Sequence, residues 1–325
     1  MTQNLSPKSP IIAVVIPAYR VRSQILKVVQ SLIGKVDLIC VVDDACPEKS
    51  GEYLANQLSN DSIHIIYNQK NLGVGGSVRR GYRYCLDHGV RIIVKMDGDG
   101  QMNPDHIQRL VEPIQLGQAD YTKGNRFFSV ASMRNMPKIR LLGNIFLSGM
   151  SKAASGYWNI LDPNNGFTAI DSRAVRALNL QKVSERYFFE SDMLFQLNLI
   201  RAKVVDVPIM SQYGDEKSNL SILKASIEFP FKHLRNFLQR IAITYFVRDF
   251  SFISIQLLGG LIGLSSGIIY GWAKYRVSQS LGIETQPGSL VIFLLLVLSG
   301  SQLLISFANF DLHNVPNKSI SARLD

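Results

Sequence analysis

Val94-Lys95-Met96-Asp97-Gly98-Asp99-Gly100-Gln101 ends a strand and opens a polar loop. Val90 to Met96 is short and largely apolar, a pattern that predicts a strand. Asp97 and Asp99 follow one residue apart, and the glycines free the backbone so that both carboxylates can turn toward one point. Such a point suits a hard divalent cation, Mg²⁺ or Mn²⁺, to which Gln101 adds a neutral oxygen. The cation would bind a diphosphate, neutralise its charge and help it leave.

The loop also has a structural interpretation that needs no metal. Asp97 and Asp99 would then cap a helix that starts near Pro104. An isolated Asp-x-Asp pair would favour this interpretation. The sequence around the loop favours the metal site instead.

Alternating strands and helices lead up to this loop. Ile11 to Ile16 and Val36 to Val42 are continuous apolar runs of the kind found in buried parallel strands, and Ile63 to Tyr67 predicts another strand. The alternation predicts an α/β domain with a doubly wound, mostly parallel sheet. Helices between the strands are predicted at roughly Ser23 to Ile33 and around Ser50 to Leu58. A third helix follows the loop Asn68 to Gly76 and runs through Leu86.

Four polar motifs fall at the carboxyl ends of the predicted strands. Ligands bind at that edge in sheets of this kind, so we expect the motifs to lie together. Packing alone does not account for four polar signals on one edge. The motifs are Pro17-Ala18-Tyr19, Asp43-Asp44, Asn71-Leu72-Gly73 and Asp97-Gly98-Asp99.

The alternation of predicted strands and helices is less regular from Ala119 to Leu180. Within it, Asp162-Pro163-Asn164-Asn165-Gly166-Phe167 has turn chemistry. Beyond it, Asp192 to Ile200 predicts a helix and Lys203 to Pro208 a strand. That strand would close a first domain covering residues 1–215.

Composition narrows the class of protein. The 325 residues are 46% hydrophobic and carry a formal net charge of +10. The three cysteines lack Cys-x-x-Cys spacing, which argues against a disulfide framework or a zinc site. Met1 to Pro10 lacks the apolar core of a signal peptide, so we expect this end to stay in the cytoplasm.

The chain changes character after Tyr213. Residues 216–248 predict amphipathic interfacial helices, because apolar side chains recur at spacings of three and four beside basic and polar ones. A surface helix packed on the first domain is the alternative. The apolar residues are Phe231, Leu234, Leu238, Ile241 and Tyr245, and their neighbours are Lys232, Arg235, Gln239 and Arg240.

Residues 249–325 predict a membrane region with two spans, at about 250–272 and 288–310. Each stretch holds 23 residues without a charge, which suffices to cross a bilayer core. The run Gly259-Gly260-Leu261-Ile262-Gly263, with Gly267, offers surfaces for close helix packing, and we expect a homo-oligomer.

Lysines and arginines set the expected orientation. They cluster ahead of the first span, so the positive-inside rule places the large amino-terminal domain and the short tail in the cytoplasm. Much of the charge thus belongs to an anionic membrane surface. Nucleic-acid binding is not expected, since no nucleic-acid motif accompanies the charge.

The motifs together resemble a known family. GT-A glycosyltransferases of family 2 carry motifs similar to Val15-Ile16-Pro17-Ala18-Tyr19, Val42-Asp43-Asp44-Ala45-Cys46, Asn71-Leu72-Gly73-Val74-Gly75 and Asp97-Gly98-Asp99-Gly100-Gln101. The dolichol-phosphate mannose synthase branch is resembled by Gly124-Asn125-Arg126-Phe127, the Asp162 turn and Tyr213-Gly214-Asp215-Glu216-Lys217-Ser218. The two carboxy-terminal spans resemble its bacterial polyprenyl-phosphate (bactoprenol) glucosyltransferase relatives.

The resemblance implies an inverting, metal-dependent hexosyltransferase of the bacterial inner membrane. It would move a hexose, with glucose expected, from a UDP-sugar to undecaprenyl or another polyprenyl phosphate on the cytoplasmic face. Two departures favour a uridine donor over GDP-mannose. Val21 and Ser211 stand where the mannose synthases carry a Glu and an Arg near the guanine nucleotide.

The resemblance also implies roles for individual residues. Nucleotide-sugar contacts would come from Pro17, Ala18, Tyr19, Asp43 or Asp44, Asn71, Gly73, Asp97, Gly98 and Lys217. The metal would be held by Asp99 and Gln101 with Asp97 beside them, and the lipid phosphate by Arg126 and Arg140. Each has a plainer alternative: solvated arginines, a turn-forming Asp162 and a helix-capping Asp192.

A phosphate acceptor hardly needs a general base. The second pKa of a phosphate monoester is about 6, so it is already a nucleophile at neutral pH. The enzyme must supply position and charge neutralisation instead. If a base assists, Asp162 is the first candidate and Asp192 the second.

Two other functions stay open at this stage. A processive polysaccharide synthase would share the metal pair, but usually carries Gln-x-x-Arg-Trp, which neither Trp158 nor Trp272 matches. A non-catalytic membrane scaffold that only binds nucleotide-sugar is the other. Replacing Asp99 with Ala discriminates, because it should abolish turnover and spare scaffolding.

Overall fold

The computed structural model describes residues 11–128, 138–210 and 222–324. The chain divides into two compact units. We call them the sheet unit, Met1–Phe237 together with Pro316–Asp325, and the hairpin unit, Leu238–Val315. The predicted boundaries near residues 215 and 248 thus differ from this division, which falls inside a helix.

Among the described residues of the sheet unit, seven strands form one sheet in the order β3-β2-β1-β4-β6-β5-β7. β6 runs antiparallel to both neighbours, and the other adjacent strands are parallel. The predicted α/β class with a mostly parallel sheet is confirmed. The strands are β1 Ile12–Ala18, β2 Leu38–Asp43, β3 Ile63–Tyr67, β4 Ile92–Lys95, β5 Tyr121–Asn125, β6 Thr168–Asp171 and β7 Val204–Pro208.

Helices cover the sheet and follow it along the chain. Those of the first part are α1 Arg22–Leu32, α2 Ser50–Gln57, α3 Gly73–Asp87, α4 Ile107–Gln115, α5 Lys138–Ser155, α6 Ser172–Ala177 and α7 Phe189–Leu199. The later ones are α8 Ile222–Ala242, a π-helical turn Ile243–Arg248, α9 Phe252–Leu281, α10 Pro287–His313 and α11 Ser321–Leu324.

Strands β1 and β2 are apolar up to their carboxyl ends because helices cover both faces of the sheet. Val14 and Ile16 of β1 belong to the same buried cluster as Ile25 of α1. Val15 points to the other face, toward α3. A Cβ on Gly81 of α3 would lie 2.3 Å from Val15 Cγ1, so only glycine allows this approach.

The segment that looked irregular in sequence contains β5, α5 and β6. Every residue of β5 is buried, yet the strand reads Tyr-Thr-Lys-Gly-Asn. It therefore shows neither an apolar run nor an alternating pattern. The helix predicted to start at Asp192 begins three residues earlier, at Phe189.

The last residues of the described chain return to the sheet unit. The carboxylate of Asp120, just before β5, accepts the backbone N–H of Ile320 at 2.9 and 3.0 Å and that of Lys203 at 2.8 Å. Ser319 Oγ donates to the Gly117 carbonyl oxygen at 2.8 Å. Because Asp120 and Ser319 are buried, the tail is part of the packed unit.

Two helices of the hairpin unit, Phe252–Leu281 and Pro287–His313, are long and apolar enough to cross a membrane. Only 17% and 11% of their most apolar windows are buried, which argues against core helices of a soluble protein. The first helix continues beyond the predicted span, through Lys274 and Arg276 to Leu281. The two predicted apolar stretches are thus found as helices.

Glycines bring the two long helices together. Gly263 lies where an added Cβ would be 3.2 Å from the Gly300 Cα. A Cβ on Gly300 would come within 2.4 Å of the Leu264 backbone nitrogen. Gly260 and Gly267 also face the second helix, as the sequence predicts, whereas Gly259 has only an ordinary contact.

A buried ion pair joins α8 to the end of α10. Arg240 donates from Nη1 to Asp311 Oδ1 at 2.6 Å and from Nη2 to Oδ2 at 2.9 Å. The Tyr245 hydroxyl donates to Asp311 Oδ1 at 2.7 Å, and Asn314 Nδ2 donates to that hydroxyl oxygen at 3.2 Å. All four polar groups belong to the hairpin unit, so the pair fixes this unit internally.

The structure corrects the amphipathic pattern predicted around this helix. Phe231, Leu234 and Leu238 are exposed, but Ile241 and Tyr245 are buried. Arg240 was placed on the basic flank and is instead buried against Asp311. The sequence period could not reveal this, because the partner carboxylate comes 71 residues later.

We expect Arg240→Met to destabilise the protein strongly. It leaves the Asp311 carboxylate buried without its cation, a loss worth about 3–5 kcal/mol, whereas replacing both partners by apolar side chains is often neutral. The measurement is thermal unfolding in detergent for Arg240→Met and for Arg240→Met/Asp311→Leu. Arg276→Met is the matched control, since it removes an exposed arginine from the same unit. Equal destabilisation by the single and double variants would contradict this account.

Candidate active site

The carboxyl ends of β1, β2 and β4 lie side by side and bring three of the predicted motifs together. Ala18 pairs with Asp43 between β1 and β2, and Val15 pairs with Lys95 between β1 and β4. Tyr19 is 38% exposed at this edge, while Ala18 is buried. The parallel register therefore places the first motif between the two acidic ones.

Asp43 and Asp44 are buried and accept backbone amides. Asp43 accepts the N–H groups of Cys46 at 2.8 Å and Gly51 at 2.7 Å. Asp44 accepts those of Leu72 and Gly73, both at 2.8 Å, and also Asn68 Nδ2 at 2.7 Å. The two carboxylates thus anchor the loops after β2 and β3, whatever contact they make with a nucleotide.

Several backbone amides of the Asn71 to Gly76 loop are used within the protein. Gly73 N donates to Asp44, and Gly76 N donates to the Glu185 carbonyl oxygen at 3.0 Å. A Cβ on Gly75 would lie 2.2 Å from the Ser184 carbonyl oxygen. These glycines allow close packing against residues 184–186. Asn71 itself donates to the Asp44 carbonyl oxygen at 3.4 Å.

Asp97, Asp99 and Gln101 follow β4 at the same edge. Asp99 Oδ1 accepts the Gln101 backbone N–H at 3.0 Å, and Gly100 takes a positive φ of 78° that favours glycine. The helix-capping alternative is wrong for these aspartates. Asn103 caps the turn at Pro104, since its side chain accepts the Asp105 N–H.

The donor set of this loop fits a cation that arrives with a diphosphate. Within the described residues no group of three His, Cys, Asp or Glu could hold a metal alone. Mg²⁺ and Mn²⁺ are commonly held by one or two carboxylates together with substrate phosphates and water. Asp99 and Gln101 supply such oxygens.

Lys95 is a buried charge that the motif analysis passed over. It is 1% exposed, and its ammonium lies 2.9 Å from Asp97 Oδ1 and 3.1 Å from Glu190 Oε1. Burial lowers the pKa of this lysine, but the charges and hydrogen bonds of Asp97 and Glu190 outweigh it and raise the pKa overall. The available signal was a lysine inside an otherwise apolar strand.

The turn after Asp162 packs directly on this ion pair. A Cβ on Gly166 would lie 2.4 Å from Lys95 Nζ and 2.9 Å from Asp97 Oδ2. Only a glycine fits there without displacing the ammonium or the carboxylate. Three separate segments, β4 with its loop, the 162–166 turn and the start of α7, therefore meet at one lysine.

Lys95 belongs to a row of polar residues that crosses four neighbouring strands. Lys95 pairs with Thr168, Thr168 with Lys123, and Lys123 with Asp206. Residues paired in this way point to the same face of a sheet. We call Lys95, Thr168, Lys123 and Asp206 the polar row.

Lys123 and Asp206, at the far end of the polar row, form hydrogen bonds with the backbone of the turn around Asp162. Lys123 donates to the Asn165 carbonyl oxygen, and Asp206 Oδ2 accepts the Leu161 N–H at 2.6 Å. Burial lowers the pKa of Lys123 to about 8, against the raising effect of Glu190 and Asp162. Burial raises the pKa of Asp206 to about 6, although the Leu161 amide and Lys123 lower it.

Arg126 and Asp162 form a two-pronged ion pair at the end of β5. Arg126 donates from Nε to Asp162 Oδ2 at 2.8 Å and from Nη2 to Oδ1 at 3.1 Å, and its backbone N–H also reaches Oδ2 at 3.3 Å. The Asp162 side chain is 2% exposed and the Arg126 side chain 31%. Asp162 therefore orients a partly exposed guanidinium, an arrangement that suits positioning better than proton abstraction.

Asp192 ties segments of the protein together. Oδ2 accepts the Ser184 N–H at 2.7 Å and the Ser184 hydroxyl at 2.8 Å, and Oδ1 accepts Asn236 Nδ2 at 2.9 Å. The residue is buried in the first turn of α7 and is not its N-cap, which is Phe188. These contacts favour a structural role over the general base considered in sequence.

The structure gives fewer contacts for the remaining predicted site residues. Pro17 lies in β1, and Gly98 lies where a Cβ would be 3.2 Å from Val21 Cγ2. Arg140 lies on α5, and its side chain is outside the described part of the chain. Lys217, Ser211 and the motif from Tyr213 to Ser218 also lie outside the described residues.

Several known proteins with similar sequences have names that refer to polyprenyl or dolichyl phosphates. The undecaprenyl-phosphate mannosyltransferase of Micrococcus luteus is 29% identical over 194 residues, which cover 58% of this chain and 79% of that protein. The polyprenol monophosphomannose synthase of Mycolicibacterium smegmatis is 29% identical over 212 residues, covering 60% and 75%. The UDP-N-acetylglucosamine–dolichyl-phosphate N-acetylglucosaminyltransferase of Methanococcus voltae is 28% identical over 219 residues, covering 63% and 87%.

Solved structures support the fold. Glucosyl-3-phosphoglycerate synthase from Mycobacterium tuberculosis, in complex with UDP, superposes with a TM-score of 0.53 at 17% identity, covering 71% of this chain and 80% of that one. At this identity the likeness concerns the fold, which is the GT-A fold.

The family model for glycosyl transferase family 2 matches residues 13–178. That range begins in β1, passes through the Asp97 loop and ends just after α6. It holds all the elements that carry the ion pairs at Lys95 and Arg126 except Glu190 of α7. The chain therefore belongs to glycosyl transferase family 2.

Proposed function

We propose that this chain transfers a hexose from a UDP-sugar to a polyprenyl phosphate at a membrane surface. The observation that carries the proposal is the acceptor shared by its relatives. Three proteins that match about 60% of the chain are named for a polyprenyl or dolichyl phosphate acceptor, although their sugars differ. The apolar helices Phe252–Leu281 and Pro287–His313 suit an acceptor that resides in a bilayer.

The sugar and the nucleotide rest on narrower observations. The named sugars of the relatives include mannose and N-acetylglucosamine, so we propose glucose only from the resemblance of the two-span architecture. Val21 packs close to Gly98, where the mannose synthases carry a Glu near their guanine nucleotide. A uridine donor is the better match to this apolar position.

The site residues have distinct tasks in this proposal. A divalent cation held by Asp99 and Gln101 would neutralise the diphosphate as it leaves. Arg126, oriented by Asp162, would hold the acceptor phosphate by bidentate contacts, with Arg140 assisting. Attack by the phosphate oxygen opposite the leaving diphosphate would invert the anomeric carbon. The acceptor is already ionised at neutral pH, so positioning rather than proton abstraction limits the reaction.

Membrane placement completes the proposal. The enzyme would lie in the bacterial inner membrane with the sheet unit in the cytoplasm, where nucleotide-sugars are made. The exposed apolar side chains Phe231, Leu234 and Leu238 of α8 suit contact with lipid. A homo-oligomer is part of the same proposal and is tested by the mass of the detergent complex.

We expect purified protein in detergent to move labelled sugar from UDP-glucose to undecaprenyl phosphate with Mg²⁺ or Mn²⁺ present. Asp99→Ala or EDTA should reduce the rate at least about 10³-fold, because diphosphate departure loses its counter-charge. The measurement is label in the organic phase across a panel of UDP- and GDP-sugars. Asp105→Ala is the matched control, since it removes an exposed carboxylate four residues beyond Gln101.

The outcomes of that panel separate the candidate functions. Labelled lipid with GDP-mannose alone would contradict the uridine donor. Growing polymer without labelled lipid would favour a polysaccharide synthase. Donor binding without any transfer would favour a scaffold and overturn the enzyme.

Asp162→Asn should impair acceptor use more than donor use. The amide cannot hold both prongs of Arg126, and a misplaced guanidinium costs on the order of 10²-fold in kcat/KM for the lipid phosphate. The measurement is steady-state kinetics with each substrate varied, beside Arg126→Lys, which should show the same pattern. If Asp162→Asn abolished turnover while Arg126→Lys had little effect, Asp162 would be a base and not a positioning group.

A further inference from the structure

We propose that Lys95 is a positioning residue that claims Asp97 and thereby leaves the divalent cation to Asp99 and Gln101. The inference rests on the proposed function, because it concerns the same metal and diphosphate. It goes beyond it by assigning a task to a buried lysine and to Glu190. It also gives a physical reason for the different roles of Asp97 and Asp99 that the family resemblance implies.

The geometry shows that one carboxylate oxygen of Asp97 is already committed. Its Oδ1 lies 2.9 Å from Lys95 Nζ, and its backbone N–H donates to Met102 Sδ at 3.3 Å. The lysine side chain is 1% exposed, so its ammonium has no bulk water to replace a lost partner. Turning Asp97 toward a cation would uncover this buried charge.

Glu190 sets how strongly Lys95 holds Asp97. The ammonium is shared between Asp97 Oδ1 and Glu190 Oε1, at 2.9 and 3.1 Å. Glu190 is the second residue of α7, and its side chain is 15% exposed. The local charge is therefore one cation against two carboxylates. We call Asp97 to Gln101 the metal loop. Removing the cation or one of the carboxylates changes the electrostatic potential at this loop in a known direction.

Gly166 packs against the ion pair of Lys95 and Asp97. A side chain there would collide with both the ammonium and the Asp97 carboxylate, at 2.4 and 2.9 Å. The same turn begins with Asp162, which orients Arg126. Lys95 thus connects the metal loop to the turn that positions the acceptor arginine.

The opposite signs expected for two substitutions provide the test. Lys95→Met removes a cation near the metal loop and frees Asp97, so it should tighten Mn²⁺ binding at least about threefold. Glu190→Gln removes an anion and leaves Lys95 to Asp97 alone, so it should weaken Mn²⁺ binding by a similar factor. The double variant should return toward the wild-type value.

Mn²⁺ binding is measured directly on the full-length protein in detergent. The free-ion signal in electron paramagnetic resonance is followed during titration with Mn²⁺ in the presence of UDP. In parallel, kcat should fall at least about tenfold in Lys95→Met while Mn²⁺ binds more tightly, because Asp97 is no longer held in place. This combination of tighter binding and slower turnover is not expected from general loosening of the site.

Lys123→Met is the matched control. Lys123 is equally buried and belongs to the same polar row, but it donates to the Asn165 carbonyl oxygen. Among the described contacts it forms no ion pair with Asp97 or Glu190, although the charge of Glu190 acts on it. Its loss should lower stability without tightening Mn²⁺ binding. Glu190→Gln keeps the size of its side chain and remains informative if Lys95→Met does not fold.

Weaker Mn²⁺ binding in both Lys95→Met and Glu190→Gln would overturn the inference, since only structural damage acts in the same direction in both. Unchanged binding in Glu190→Gln would overturn it as well. These titrations need no acceptor and no turnover. Failure to form a lipid-linked sugar would therefore count against the proposed function alone.

Discussion

The ammonium of Lys95 is the constraint on which the arrangement at the carboxyl end of β4 depends. A buried cation must be matched by carboxylates. The two carboxylates that match Lys95 come from two separate segments of the chain. Asp97 belongs to the loop that follows β4, and Glu190 belongs to the first turn of α7. Satisfying one charge therefore fixes the distance between two parts of the chain that are 93 residues apart in sequence, 190 minus 97.

The polar row extends this constraint across the sheet. Lysines at Lys95 and Lys123 flank Thr168 on neighbouring strands, and each lysine holds a different segment of the edge. Lys123 supports the turn from which Asp162 reaches Arg126. The loop after β4 and Arg126 after β5 thus rest on two strands of one sheet that are separated by β6. Groups on regular strands are held more accurately than groups on loops alone.

Local sequence patterns predicted the parts of this molecule that are governed by local physics. β1, β2 and β3 are apolar runs, and the two long helices are uncharged stretches, so hydropathy alone locates them. Motif order was enough to recognise the family. β5 was missed because its buried residues are polar and are satisfied only by tertiary partners. Lys95 with Glu190, and Arg240 with Asp311, were missed for the same reason, since no periodicity encodes a partner that lies about 70 to 95 residues away.

The docked tail has a consequence for how the protein is made. Ile320 donates its backbone N–H to the buried Asp120 carboxylate, so the packed sheet unit includes residues that are synthesised after both long helices. At ordinary translation rates of about 5–20 residues per second, the sheet waits on the order of ten seconds or more for this last segment. During that interval Asp120, just before β5, lacks its contact with Ile320 while the apolar helices emerge. The final closing of the sheet unit therefore follows the synthesis of the hairpin unit.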